Sequence, residues 1–204
     1  HHESNQKAPK KTGTALELLD CLTCAKCIPV CPNDANFALK IPPGITEILE
    51  FEKNKSGWSV KSRDTLKLEK KYQIANFADF CNECGNCDIF CPEDGGPFVL
   101  KPRFFGSLES FQSFTNHDGF YIEDEGTERC APRVFARFDG KEYRVTFTGK
   151  SVNYSGPDFD IKFSKDDPEN TIYGEGKSRV SLLNYEIMQM MKTAISDTGS
   201  GSYV

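Results

Sequence analysis

A chain of 204 residues has room for one medium domain or two small ones, each able to bury a modest core. Its 38% hydrophobic and 27% charged residues, with a mean hydropathy of -0.51, describe an ordinary folded chain and not a disordered one. The formal net charge of -5 argues against a nucleic acid or an anionic membrane surface as partner, and no apolar run approaches the roughly 20 residues that cross a bilayer. No charged-apolar-small leader opens the chain, so the expected location is cytoplasmic.

In chain order, the first informative segment holds Cys21, Cys24, Cys27 and Cys31, spaced C-x2-C-x2-C-x3-C and followed by Pro32. Cys81, Cys84, Cys87 and Cys91 repeat that spacing sixty residues later, followed by Pro92. Asp34 and Asp94 keep the same offset, and Phe37 and Phe98 nearly do, so the two stretches form an internal repeat. Three cysteines spaced by two residues wrap a tight loop that presents three thiolates to three corners of one iron–sulfur cubane, while the fourth leaves the loop. In the two-cluster arrangement that fourth thiolate ligates the other cluster. The expected ligands are therefore Cys21, Cys24, Cys27 and Cys91 for cluster 1, and Cys81, Cys84, Cys87 and Cys31 for cluster 2. Each cluster would tie one motif to the other and make folding of this part depend on metal.

Two plainer readings compete with this one. Disulfides call for an oxidising compartment to which nothing here points, and bridges inside C-x2-C loops would close short strained rings. Structural zinc favours two C-x2-C knuckles with a longer spacer, which leaves the third regularly spaced cysteine and the trailing Cys-Pro without a role.

The runs CLTCAKCIPVCP and CNECGNCDIFCP resemble the bacterial 2[4Fe-4S] ferredoxin signature, over about residues 15 to 100. The stretch from 32 to 80 between the motifs is longer than in a minimal ferredoxin of that type. Within it, ITEILEFEKNKSGWSVKSRDTLKLEKK alternates apolar and charged positions around a turn at Asn54 to Gly57, which predicts a hairpin extending the ferredoxin sheet. The segments FADFCNECGNCDIFCPEDGGPF and SFTNHDGFYIEDE, with the β-rich stretch after them, are similar to the C-terminal region of large iron–sulfur flavoproteins of the selenate reductase subunit type. In that family a ferredoxin-like unit follows flavin- and nicotinamide-binding domains related to the glutamate synthase small subunit. The resemblance implies a fragment or separately encoded subunit that receives electrons from a reduced flavin.

Beyond residue 103 the pattern changes to short strands. Val134, Ala136 and Phe138 alternate before Asp139-Gly140, and Tyr143, Val145 and Phe147 alternate after it, which predicts a hairpin; Phe159, Ile161 and Phe163 continue the period. Leu183, Ile187, Met190, Met191 and Ala194 then recur at helical spacing, a stripe read as core, with Ser178 or Ser181 as its cap. The tail Thr198 to Val204 reads as mobile. Phe104, Phe105, Phe111, Phe114, Phe120 and Tyr121 are expected to pack where the two parts join, with docking of a flavin domain as the functional alternative.

Several features are set aside. Gly174 to Ser178 lacks the first glycine of a phosphate-binding loop, and no G-x-G-x-x-G occurs, so no dinucleotide site is expected in the chain itself. Cys130 reads as a buried free thiol, His117 as a surface histidine without a cysteine or carboxylate partner, and the acidic runs Glu123 to Glu125 and Asp166-Asp167 as solvated turns.

The expected fold is α+β: a ferredoxin-like two-cluster core at 15–102 with an insertion at 38–76, then at 103–197 a small antiparallel β module with a C-terminal helix. The expected function is electron transfer through two 4Fe-4S clusters, without a catalytic substrate site in this chain. It would act as the iron–sulfur module of a larger flavin- and NAD(P)H-linked oxidoreductase, with FAD and NAD(P)H held only by a partner domain or subunit. A further redox enzyme would be the acceptor. The alternative is a free-standing ferredoxin-like carrier whose β module serves for docking.

Overall fold

The computed structural model describes residues 7–123 and 131–197. In chain order its first strands are β1 (Asn36–Leu39), β2 (Gly44–Asn54), β3 (Gly57–Leu68), β4 (Gln73–Phe77), β5 (Arg103–Phe105) and β6 (Gly119–Glu123). They continue as β7 (Arg133–Phe138), β8 (Lys141–Thr148), β9 (Ser151–Gly156), β10 (Phe159–Ser164), β11 (Tyr173–Gly176) and β12 (Arg179–Ser181). The helices are the short α1 (Asn86–Ile89), α2 (Pro97–Leu100), α3 (Leu108–Ser113) and α4 (Pro168–Thr171), and the 14-residue α5 (Leu183–Ser196). The chain is thus mixed α/β, mostly strand, with a C-terminal helix. Among the described residues no helix is long and apolar enough to cross a membrane.

Two units divide the chain. The first takes the residues up to Pro43, Leu68–Gly119 and those from Thr193; the second takes Gly44–Lys67 and Phe120–Lys192. In the first unit β4 is the central strand, antiparallel to β1 with Asn36 opposite Asn76, and parallel to β5 with Asn76 opposite Arg103. All five residues of β4 are buried, as a strand flanked on both sides requires. The two cysteine motifs lie on either side of the β1–β4 pair in sequence, so this pairing brings them into one unit.

In the second unit the strand order is β6-β7-β8-β9-β10-β11. The β7–β8 hairpin forms where the alternation places it, with Val134 opposite Val145 and Ala136 opposite Tyr143. Its turn residues Asp139 (φ 51°) and Gly140 (φ 70°) both adopt the left-handed conformation that a tight two-residue hairpin demands. Val134, Ala136, Val145, Val152 and Ile161 are fully buried. Tyr185 of α5 packs against Tyr154 and Phe163, so the helix lies on this sheet's apolar face.

Two expectations change. The 44–68 hairpin forms, with Asn54 Oδ1 accepting from Ser56 N at 3.0 Å in its turn, but it does not extend the sheet of β1 and β4. It pairs with β12 in a separate three-stranded sheet, β12-β2-β3, where Val180 faces Phe51. Leu49 and Phe51 bury one face of β2, and the strand that completes the face comes from far along the chain, beyond any local pattern. In α5, Ile187, Met191 and Ala194 are buried as read, whereas Leu183 is exposed and Tyr185 and Met188 carry the deepest part of the stripe. Leu182, just before the helix, takes the buried place expected of Leu183; Ser181 Oγ accepts from Leu183 N at 3.2 Å, the predicted cap. The tail from 198 to 204 lies outside the described residues.

Candidate metal centre

The sequence repeat is also a repeat of backbone geometry. Thr23 (φ 53°) and Ala25 (φ 56°) turn the first loop through the left-handed region, and Glu83 (φ 56°) and Gly85 (φ 77°) do the same sixty residues later. Three of these four carry a side chain, at a cost of about 1–2 kcal/mol each. The turn hydrogen bonds follow the same offset: Ile28 N to Ala25 O matches Asp88 N to Gly85 O, and Cys31 N to Ile28 O matches Cys91 N to Asp88 O. Each loop thus curls twice before its fourth cysteine departs.

Among the described residues all eight cysteines are free thiols: Cys21, Cys27, Cys87 and Cys91 are buried, Cys31 and Cys81 half-buried, Cys24 and Cys84 exposed. Cys21 and Cys27 of the first loop share one packed cluster with Cys87 of the second, together with Leu16 and Ile74. Burial pushes the Cys27 thiol up to about 11; Lys101 pulls it down, while negative charge on Cys21, Cys24 and Cys87 adds to the rise. Cys87 is raised by burial and then by charge on Cys81, Cys31 and Cys84, with a hydrogen bond from the Phe98 backbone opposing. Burial raises Cys91 as well; the Glu93 backbone and Lys101 oppose it, and Glu93 and Cys24 add to it. The two loops therefore feel each other's charge: Cys31 acts on Cys87, Cys24 on Cys91, and Cys87 on Cys27.

Backbone amides reach sulfur elsewhere too, Thr23 N to Cys21 Sγ and Ala35 N to Cys31 Sγ, both at 3.3 Å. Such bonds stabilise charge on sulfur and lower the electron density it gives to iron. Supporting contacts hold the loops in place: Tyr72 donates to Thr23 O at 3.1 Å, and Asn36 Nδ2 to Cys27 O at 3.0 Å. Asn76 Nδ2 in turn donates to Asn36 Oδ1, so the β1–β4 pair grips the first loop.

Three charged residues matter here that sequence reasoning missed. Lys101 is 5% exposed, and its ammonium donates to Cys21 Sγ at 3.0 Å and lies 3.7 Å from Cys27 Sγ. Arg103 is 1% exposed and pairs with Glu83 Oε1 at 3.1 Å. Glu93, also buried, accepts weakly from Leu22 N at 3.4 Å. No spacing rule links residue 101 to residue 21; a lysine right after an apolar run was the only signal.

His117 departs from expectation. It is half-buried, edge-on to Phe98 and near Phe114, and its Nε2 lies 3.4 Å from Glu83 Oε1, so it has the carboxylate neighbour the sequence did not reveal. Cys130 and the acidic residues Asp124 and Glu125 lie outside the described residues.

The residues fit iron–sulfur clusters. Cys21, Cys27 and Cys87 from the two loops share one packed cluster, and a buried ammonium is aimed at Cys21 and Cys27, a placement that negative charge on those sulfurs favours. Among the described residues no three His, Cys, Asp or Glu side chains stand together as a site for a single ion. A cubane, by contrast, takes one thiolate on each of four irons and spaces them more widely.

Residues 17–94 match the family model of the 4Fe-4S dicluster domain. An Escherichia coli K12 protein named "Putative oxidoreductase YgfK" is 31% identical over 121 residues, covering 59% of this chain and 9% of that protein. The protein of the same name from Escherichia coli O157:H7 matches to the same extent. The chain thus spans less than a tenth of the curated relatives it matches. No solved structure matches.

Proposed function

We propose that this chain is an electron-transfer module with two 4Fe-4S clusters in a ferredoxin-like core, working inside a larger oxidoreductase. Cys21, Cys24, Cys27 and Cys91 would hold one cluster, and Cys81, Cys84, Cys87 and Cys31 the other; when bound, the clusters supply one-electron chemistry. The core spans 15–102 and the β module with its helix 103–197. The observation that carries this reading is the repeated C-x2-C-x2-C-x3-C-P motif, whose two loops share their left-handed turns and place Cys21, Cys27 and Cys87 in one packed cluster.

What this chain's own residues do is hold and insulate. The left-handed loop residues and the amides of Thr23 and Ala35 present and polarise the thiolates. Leu16, Ile74 and Leu100 exclude water from the inner ones. The small share of the oxidoreductase relatives that the chain covers supports a place within a larger redox protein, and the flavoprotein resemblance supports a flavin, itself reduced by NAD(P)H, as donor. A cluster-binding role for these cysteines fits a reducing compartment such as the cytoplasm.

The test is anaerobic preparation with iron and sulfide, elemental analysis and electron paramagnetic resonance. The reading expects two cubanes' worth of iron and two reversible one-electron signals; zinc, or no iron, would overturn it. Mixing with a reduced flavoprotein then separates a module of a flavin enzyme, reduced only by that partner, from a free-standing carrier, reduced by exchangeable donors.

A further inference from the structure

Resting on the two-cluster reading, we propose that Lys101 raises the reduction potential of the cluster on Cys21, Cys24, Cys27 and Cys91 above that of its twin. The Lys101 ammonium bonds Cys21 Sγ at 3.0 Å, lies 3.7 Å from Cys27 Sγ and is sealed from water. Among the described residues no carboxylate oxygen comes within ion-pair distance of it, so its charge is directed at sulfur. Leu100 packs on the same cysteine cluster, which anchors the backbone beside it.

The second loop handles its buried cation differently. Arg103 gives one nitrogen to Glu83 Oε1 at 3.1 Å and another to Phe98 O at 3.2 Å, and its guanidinium lies over the Phe114 ring. A carboxylate of the second loop itself therefore compensates that charge. The two loops share a backbone and differ in their fixed charge: in one a cation donates directly to sulfur while the buried Glu93 carboxylate faces Leu22 N, in the other the cation is paired with a carboxylate of the loop itself.

Reduction adds one electron to a cluster, with no bond made or broken in the chain. In a water-poor site the added negative charge is stabilised by a nearby fixed positive charge, which favours the reduced form. A single electron shared between the two clusters therefore rests on the Lys101 side. An ammonium buried without a carboxylate is costly in itself, and the thiolate charge is what sustains it there.

The test uses the full chain, anaerobically loaded with iron and sulfide and titrated with dithionite under electron paramagnetic resonance. The titration compares wild type with Lys101→Met, Lys101→Gln and Lys101→Arg, and Cys24→Ser marks which signal belongs to the first loop. The inference expects two separated one-electron steps in the wild type. Lys101→Met should lower the first-loop step so that its oxidised-to-reduced ratio at a fixed potential rises tenfold or more, about 59 mV for one electron. The second-loop step should move much less, and Lys101→Arg should keep most of the wild-type separation. Should Lys101→Met fail to hold the first cluster, Lys101→Gln, which keeps an N–H donor without the charge, makes the same comparison. Equal shifts of both steps, no shift, or an arginine variant indistinguishable from the uncharged ones would overturn the inference. Two clusters with potentials indifferent to residue 101 would defeat this inference alone, whereas a chain without iron would defeat the reading beneath it.

Discussion

Cys91 and Cys31 carry the heaviest burden under the proposed ligand sets, because each would leave its own loop to ligate the cluster of the other. Under the proposed ligand sets, Cys91→Ser removes a ligand from the first-loop cluster and spares the second. Electron paramagnetic resonance of the reconstituted variant should show loss or alteration of the first-loop signal; loss confined to the second would reverse the assignment. The spacing of the eight cysteines makes these residues legible in the sequence alone. What spacing could not reveal is the polarity around them. Lys101, just before β5, reaches Cys21 Sγ, and Arg103 of β5 pairs with Glu83 of the second loop, contacts that depend on distances across the fold.

At the scale of elements, two glycines separate conformational cost from steric cost. Gly140, at φ 70°, has open space where a Cβ would sit, so Gly140→Ala should cost only the left-handed penalty of about 1–2 kcal/mol. Gly174, at φ 124°, would place a Cβ 2.4 Å from Asp160 O and 2.9 Å from Ile161 Cα, on the strand that β11 pairs with. Gly174→Ala should therefore cost more, about 2–4 kcal/mol, by adding backbone overpacking to strain. Urea unfolding of both variants checks the order, and a smaller loss at 174 than at 140 would refute it.

Helix α5 carries a pH dependence. Burial pushes the Glu186 carboxyl up to about 7 from its ordinary 4.5. The folded state then holds this proton more tightly than the unfolded one, so the contribution of Glu186 to stability is greatest below about 4.5, falls as pH rises towards 7 and stays reduced above. Glu186→Gln should relieve that loss, raising stability at pH 8 by on the order of 2 kcal/mol after discounting for partial exposure, with little change at pH 4.5. Equal urea midpoints for variant and wild type at pH 8 would contradict it.

At the scale of the whole molecule, the cysteines of the proposed clusters are built into the core of one unit, while among the described residues the core of the other contains none. The first unit builds Cys21, Cys27 and Cys87 into its apolar cluster. The second buries Val134, Val145, Val152, Ile161 and Met188 without a cysteine among them. Chelating the iron from reconstituted protein should therefore speed hydrogen exchange in residues 21–43 and 68–105 and leave 133–164 protected. Simultaneous loss of protection in both ranges, or no change in either, would contradict this dependence.

The amino-acid sequence by itself determined what local rules govern. Cysteine spacing marked the cluster loops, apolar alternation around Asp139-Gly140 marked the β7–β8 hairpin, and helical spacing marked α5, because each depends on residues within a few positions of one another. Only the tertiary structure decided the pairing of β2 with β12, the placing of His117 beside Glu83 and the aim of Lys101 at sulfur. Those outcomes join residues far apart along the chain, where burial and charge compensation, felt only once the chain is packed, select the partner.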